Sequence, residues 1–133
     1  MNDVNIQQLR IARPTENLES ITDFYCKGLG FEVIASFEDH DGFDGIILSW
    51  AGETFHLEFT HERGTSTSRV VSHENLLVFY IPDIAKWQNL VNRIISNGYQ
   101  AVKSHNPYWD KRGMTFEDPD GYRVVLQNAS WRT

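Results

Sequence analysis

The sequence predicts an α+β domain made of two copies of a βαβββ module. Two amphipathic helical stripes are each flanked by short β-type runs, in the order strand, helix, three strands, then the same again. The glycine punctuation repeats. Leu29-Gly30-Phe31 and Asn97-Gly98-Tyr99 each close a helix and open a strand, 68 residues apart, and the turns around Gly52 and Gly121 lie 69 apart. Two offsets that agree to one residue point to an internal duplication.

The first module opens with a strand over Leu9 to Ala12. Asn17 is a good N-cap, and Leu18, Ile21, Phe24, Tyr25 and Leu29 follow at helical spacing until Gly28 and Gly30. Strands are expected over Phe31 to Phe37, Gly45 to Trp50 and Thr54 to Thr60, with turns at Asp41-Gly42 and Ala51-Gly52-Glu53. The polar stretch 61–73 reads as a linker between module one, about 7–60, and module two, about 74–128. Module two has a strand over Asn75 to Ile81. A helix capped at Pro82-Asp83 carries Ile84, Trp87, Leu90, Val91, Ile94 and Ile95 on one stripe and stops at Asn97-Gly98. Three further strands fall at Ala101-Val102, Gly113 to Phe116 and Tyr122 to Gln127, the last two joined by Asp118-Pro119-Asp120-Gly121. The echo of FEDHDGF (37–43) in FEDPDGY (116–122) is out of the repeat register and reflects shared turn chemistry.

With 133 residues the chain is one domain's worth, able to bury roughly two-thirds of its unfolded surface without a disulfide or metal. Twelve Lys+Arg against eighteen Asp+Glu give a net charge of −6, which argues against a nucleic-acid or anionic-membrane partner. One cysteine, Cys26, excludes an internal disulfide framework and a cysteine-cluster zinc site; its place beside the core stripe makes it structural. No export signal and no long apolar span are visible, so the expected location is the cytoplasm.

The segments NLESITDFYCKGLGFEV (17–33), FHLEFTHERG (55–64), FYIPDIAKW (79–87) and FEDPDGYRVVLQN (116–128) resemble the vicinal oxygen chelate superfamily. That superfamily includes glyoxalase I, bleomycin-resistance proteins, extradiol dioxygenases and fosfomycin-resistance enzymes. The resemblance covers nearly the whole chain, and RIARP and NPYWD suggest a small bacterial branch. It implies two modules whose mixed sheet curls around one cavity, with helices on the convex side, and a homodimer. In the superfamily, four ligands from the first and last strands of both modules, His or Gln, Glu, His and Glu, hold a divalent metal. That metal leaves two positions open to a substrate with adjacent oxygens.

Carried over by position, the resemblance keeps Glu58 as the first glutamate. It puts Arg10 where His or Gln is expected, Leu76 at the second His and Val125 at the second Glu. A register two residues away offers Gln8, Glu74 and Gln127 instead. Alternation places Thr54, His56 and Glu58 on one face and Phe55, Leu57 and Phe59 against the helix. On this pattern no metal set is assigned and no cofactor is expected. The Arg10 guanidinium is expected to replace the cation and pair with Glu58. His56 and Glu58 are the candidate acid and base. Asn106, Tyr108 and Trp109 are candidates for an aromatic and amide lid over a flat ligand, with Trp50, Tyr80 and Arg123 as further lining. His73 and His105 read as exposed loop residues, and the acidic run Glu38, Asp39, Asp41 and Asp44 as a solvated turn. The reading is a metal-free cavity that binds a small polar or aromatic molecule. The alternative is a lyase, isomerase or dioxygenase using a divalent metal on Glu58.

Overall fold

A computed structural model describes residues 3–66 and 71–131; part of the expected linker, residues 67–70, lies outside them. The chain divides into two compact units, the first holding residues 3–26 and 30–66 and the second residues 27–29 and 71–131.

In the first unit β1 (Leu9–Pro14) leads into α1 (Leu18–Thr22), followed by β2 (Glu32–His40), β3 (Phe43–Ser49) and β4 (Phe55–Glu62). In the second, β5 (Leu76–Tyr80) is followed by α2 (Ile84–Ser96), then β6 (Ala101–Val102), β7 (Gly113–Glu117) and β8 (Arg123–Gln127). Each unit carries a four-stranded mixed sheet, ordered β1-β4-β3-β2 and β5-β8-β7-β6. In both, the first strand runs parallel to the last and the other pairs are antiparallel. The βαβββ order expected from the sequence is therefore present twice. The repeat reaches the backbone: Gly30 and Gly98 have φ of 101° and 94°, and Gly52 and Gly121 have 81° and 91°. That left-handed region is open to glycine without a Cβ clash.

The first helix departs from expectation in its winding. The Asn17 side chain caps it by accepting from Ser20 N at 3.0 Å. After Thr22 the chain continues as a π-helical stretch, Asp23–Leu29, through Gly28 to the left-handed Gly30. Gly28 is thus no terminator. It lies against Tyr99, whose ring would meet an added Cβ at 3.2 Å.

Burial follows the alternation of the strands. Leu57 and Phe59 are 2% exposed, and the Phe59 ring lies 5.0 Å from that of Tyr25 on the helix side. Ile21, Phe24, Tyr25 and Leu48 complete this core. In the second unit Val91 and Ile94 of α2 are buried, as are Phe116, Val124 and Leu126. The indole N–H of Trp87 donates to the Leu126 carbonyl at 2.9 Å, fixing helix to sheet. Interior positions in both sheets belong to β3, β4, β7 and β8, and all five residues of β8 are buried.

The acidic turn is held by a cation from β4's end. His40 pairs with Phe43 across Asp41-Gly42, both with positive φ, a two-residue hairpin turn. Arg63 bonds Asp44 at 2.9 Å and approaches Asp39 at 3.6 Å. Its hydrogen bond, joined by the Asp39 backbone N–H, holds the Asp44 carboxyl below its ordinary pKa. A depressed carboxyl stabilises the fold above the unfolded pKa, and that contribution is lost as pH falls through the folded one. Carbon-detected NMR titration should therefore find Asp44 titrating below the ordinary aspartate value, and Arg63→Ala should move it back up. An unmoved Asp44 in that variant would exclude Arg63 as the cause.

Candidate functional site

On β4 the odd residues face α1, so His56, Glu58 and Thr60 lie on the opposite face. The parallel register sets Arg10 beside His56 and Ala12 beside Glu58. Arg10 therefore reaches diagonally, and its Nη1 donates to Glu58 Oε1 at 3.1 Å. The side chains are 42% and 18% exposed, so the pair sits half in solvent with the carboxylate better covered than the cation. Ser49 and Ile47 of β3 stand beside His56 and Glu58 on the other flank. His56 Nδ1 is buried and has no hydrogen-bond partner among the described residues. His61, the last histidine of the H-x-E-x-x-H run, falls on the other face, where its Nδ1–H donates to the Thr15 carbonyl at 3.0 Å.

The corresponding face of the second sheet has other chemistry. Leu76 and Val78 of β5 stand beside Arg123 and Val125 of β8, and Val125 is fully buried. Of the two-residue alternatives, Gln8 donates its amide to the Thr54 carbonyl at 2.6 Å, while Gln127 is buried with Oε1 unpartnered among the described residues. No three His, Cys, Asp or Glu side chains among the described residues are grouped as a bound cation requires.

Two residues expected to line the cavity are engaged internally. The Trp50 ring packs edge-on against Phe31 at 4.9 Å, in the aromatic cluster with Tyr25 and Phe55. Arg123 is 8% exposed at its side chain. Its Nε and Nη2 each lie 2.9 Å from Glu117 Oε2, and Nη1 donates to the Lys103 carbonyl at 3.0 Å. Glu117 and Arg123 are opposite one another across β7 and β8. The hairpin spacing alone carried that signal, with the tight turn formed by Asp118 accepting from Asp120 N and Tyr122 N.

The other candidates stay near the surface. Tyr80 ends β5, 37% exposed, with its ring 6.2 Å from that of Trp131. Asn106 caps a 3-10 turn, Pro107–Asp110, by accepting from Tyr108 N at 3.0 Å. Tyr108 is 55% exposed, and its ring meets Trp109 edge-on at 4.9 Å. Asn106 and Trp109 line a cavity of about 140 Å³ together with His73, Glu74, Leu76 and His105. This cavity lies wholly in the second unit, and its two histidines come from segments between the helices and strands.

Residues 9–60 match the YycE-like N-terminal domain and residues 74–128 the YycE-like C-terminal domain. The chain belongs to the YycE-like family. It is 43% identical to the uncharacterized protein YycE of Bacillus subtilis (strain 168) over 122 residues, 92% of this chain and 88% of the relative. The crystal structure of a Bacillus subtilis YycE protein superposes with a TM-score of 0.87, covering 93% of this chain and 90% of that one. More distant solved structures share the fold of this YycE-like chain. Glyoxalase I of Leishmania major has 18% identity and a TM-score of 0.71, over 94% of this chain and 88% of that one. TnmS3, an antibiotic binding protein from Streptomyces sp. CB03234, has 21% identity and a TM-score of 0.68, over 98% and 99%. The fold of the chain is thus shared with a glyoxalase I and with an antibiotic binding protein.

Proposed function

We propose that this YycE-like chain binds a small polar or aromatic molecule without a divalent metal, the Arg10 guanidinium standing in for the cation. The observation that carries this is the 3.1 Å pair between Arg10 and Glu58. A metal ion on Glu58 would have to displace a guanidinium already there or sit beside it, cation against cation. Leu76 and Val125, at the positions expected for the remaining ligands, offer no donor atoms. Arg10 keeps further N–H donors for an incoming acceptor, and its exposure leaves it accessible. The antibiotic binding protein TnmS3 is an example of this fold in a binding role. His56, on the same face of β4 as Glu58 and beside Arg10 in the register, belongs to the same candidate site. Exposed Val33 and Ile34 on the outermost strand β2 support a homodimer, which sedimentation checks; the working location is the cytoplasm.

The test is elemental analysis of untagged protein with calorimetric titration of nickel, zinc, manganese and iron, then a thermal-shift screen of small polar and aromatic compounds. We expect no stoichiometric metal, no heat above background, and stabilising compounds in the screen. Arg10→Ala should abolish that stabilisation while costing the fold no more than about 1 kcal/mol, as for a half-exposed pair. Unchanged binding and melting in Arg10→Ala would overturn the assignment. One tightly held metal per chain would do so too, in favour of a lyase, isomerase or dioxygenase working through Glu58.

A further inference from the structure

This cavity of the second unit has a volume of about 140 Å³. Its occupant is therefore a compact group of few heavy atoms. Leu76 and the Trp109 indole supply apolar wall. Ser104 offers little to a ligand: its hydroxyl is bonded to that of Thr115, and its backbone N–H lies 3.2 Å from both Asp110 carboxylate oxygens.

The charges decide the rest. Among the described residues, no lysine or arginine lines the cavity. Glu117, 3.4 Å from His73 Nε2, is matched by the two 2.9 Å contacts from Arg123. Glu74 differs. Its ion-pair partner among the described residues is His105 Nε2, at 3.9 Å, and its side chain is 74% exposed. With neutral imidazoles, the described lining presents the Glu74 carboxylate without a fixed cation beside it, and an indole. An anion would meet that carboxylate with no fixed cation among the described residues to hold it. A cation meets a carboxylate and a π-system together.

We infer that this cavity is a subsite for a small organic ammonium group, held between the Glu74 carboxylate and the Trp109 indole. The assignment rests on the reading of the chain as a small-molecule binder and names the charge class that this part of the ligand carries.

The probes are n-butylammonium, 1-butanol and butyrate, alike in size and different in charge, titrated at pH 8 and low salt. At that pH an ordinary histidine is neutral. Binding is read by NMR at the Trp109 indole N–H and the Leu76 methyl groups. The ammonium alone is expected to shift both signals saturably, and Glu74→Gln, an exposed substitution that leaves the core untouched, should weaken it ~5-fold. Binding of butyrate or butanol as tight as that of the ammonium, or an unchanged affinity in Glu74→Gln, would overturn the inference. If the ammonium fails while the compound screen yields ligands, only this inference falls. If both fail, the binding reading falls with it.

Discussion

Arg123→Met should lower the melting temperature by about 10 °C. The guanidinium is buried, holds Glu117 through two nitrogens and satisfies the Lys103 carbonyl with the third. Methionine fills much of the same volume but donates nothing. It leaves Glu117 with only His73 at 3.4 Å, and takes its side-chain donor from the Lys103 carbonyl. Removing one partner of a buried pair costs about 3–5 kcal/mol. Glu117 is 34% exposed, which lets water reach it and puts the cost near the lower end, about 3 kcal/mol. For a chain of this length each kcal/mol moves the midpoint by about 3–4 °C. Calorimetry of Arg123→Met, Glu117→Gln and the double variant checks this. The double variant should recover part of the loss, because no charge is then left without its partner. A single variant melting within a degree or two of the parent would show that the pair contributes nothing net.

Gly113→Ala should cost about 1–3 kcal/mol, although alanine is the smallest change available there. An added Cβ would come within 2.8 Å of the Trp109 carbonyl oxygen and 3.0 Å of that of Leu126. It would also meet Gln127 Oε1 at 2.3 Å. The amide tip is the far end of a flexible side chain, but the carbonyls are backbone and move only with the chain. The 3-10 turn must therefore lift off the sheet, carrying Trp109 away from the cavity it lines. Melting by circular dichroism should fall, and the ammonium-induced shift of the Trp109 indole should weaken with it. A comparison with Gly52→Ala isolates the cause. That position has positive φ but open space around it, so it reports backbone strain alone. If both variants lose the same stability and Trp109 is undisturbed, close approach is not what holds Gly113.

Much of the fold was legible because its signals are local. The stripe from Ile84 to Ile95 needs only a 3.6-residue period, and α2 runs over Ile84–Ser96 as that stripe implies. The duplication shows in Gly30 and Gly98 because both must take the same left-handed turn. Alternation on β4 also placed Glu58 opposite Phe59, and the first-with-last strand pairing brought Arg10 to it. The π-helical winding of Asp23–Leu29 was not legible, since its periodicity differs from an α-helix by too little over seven residues. Trp50 follows the end of β3, where alternation no longer specifies a face, and its ring packs edge-on against Phe31.

The sequence by itself determined the element order, the repeat, which face of each strand is apolar, and a carboxylate at position 58 with a guanidinium in reach. These follow from residue spacing along one segment. Tertiary structure alone decided which polar groups satisfy one another and which remain available. Arg123 closes on Glu117 across a hairpin, while Glu74 meets His105 only because two loops distant in the chain converge. Such pairings depend on register and loop path, and a change of one residue in either reassigns every partner.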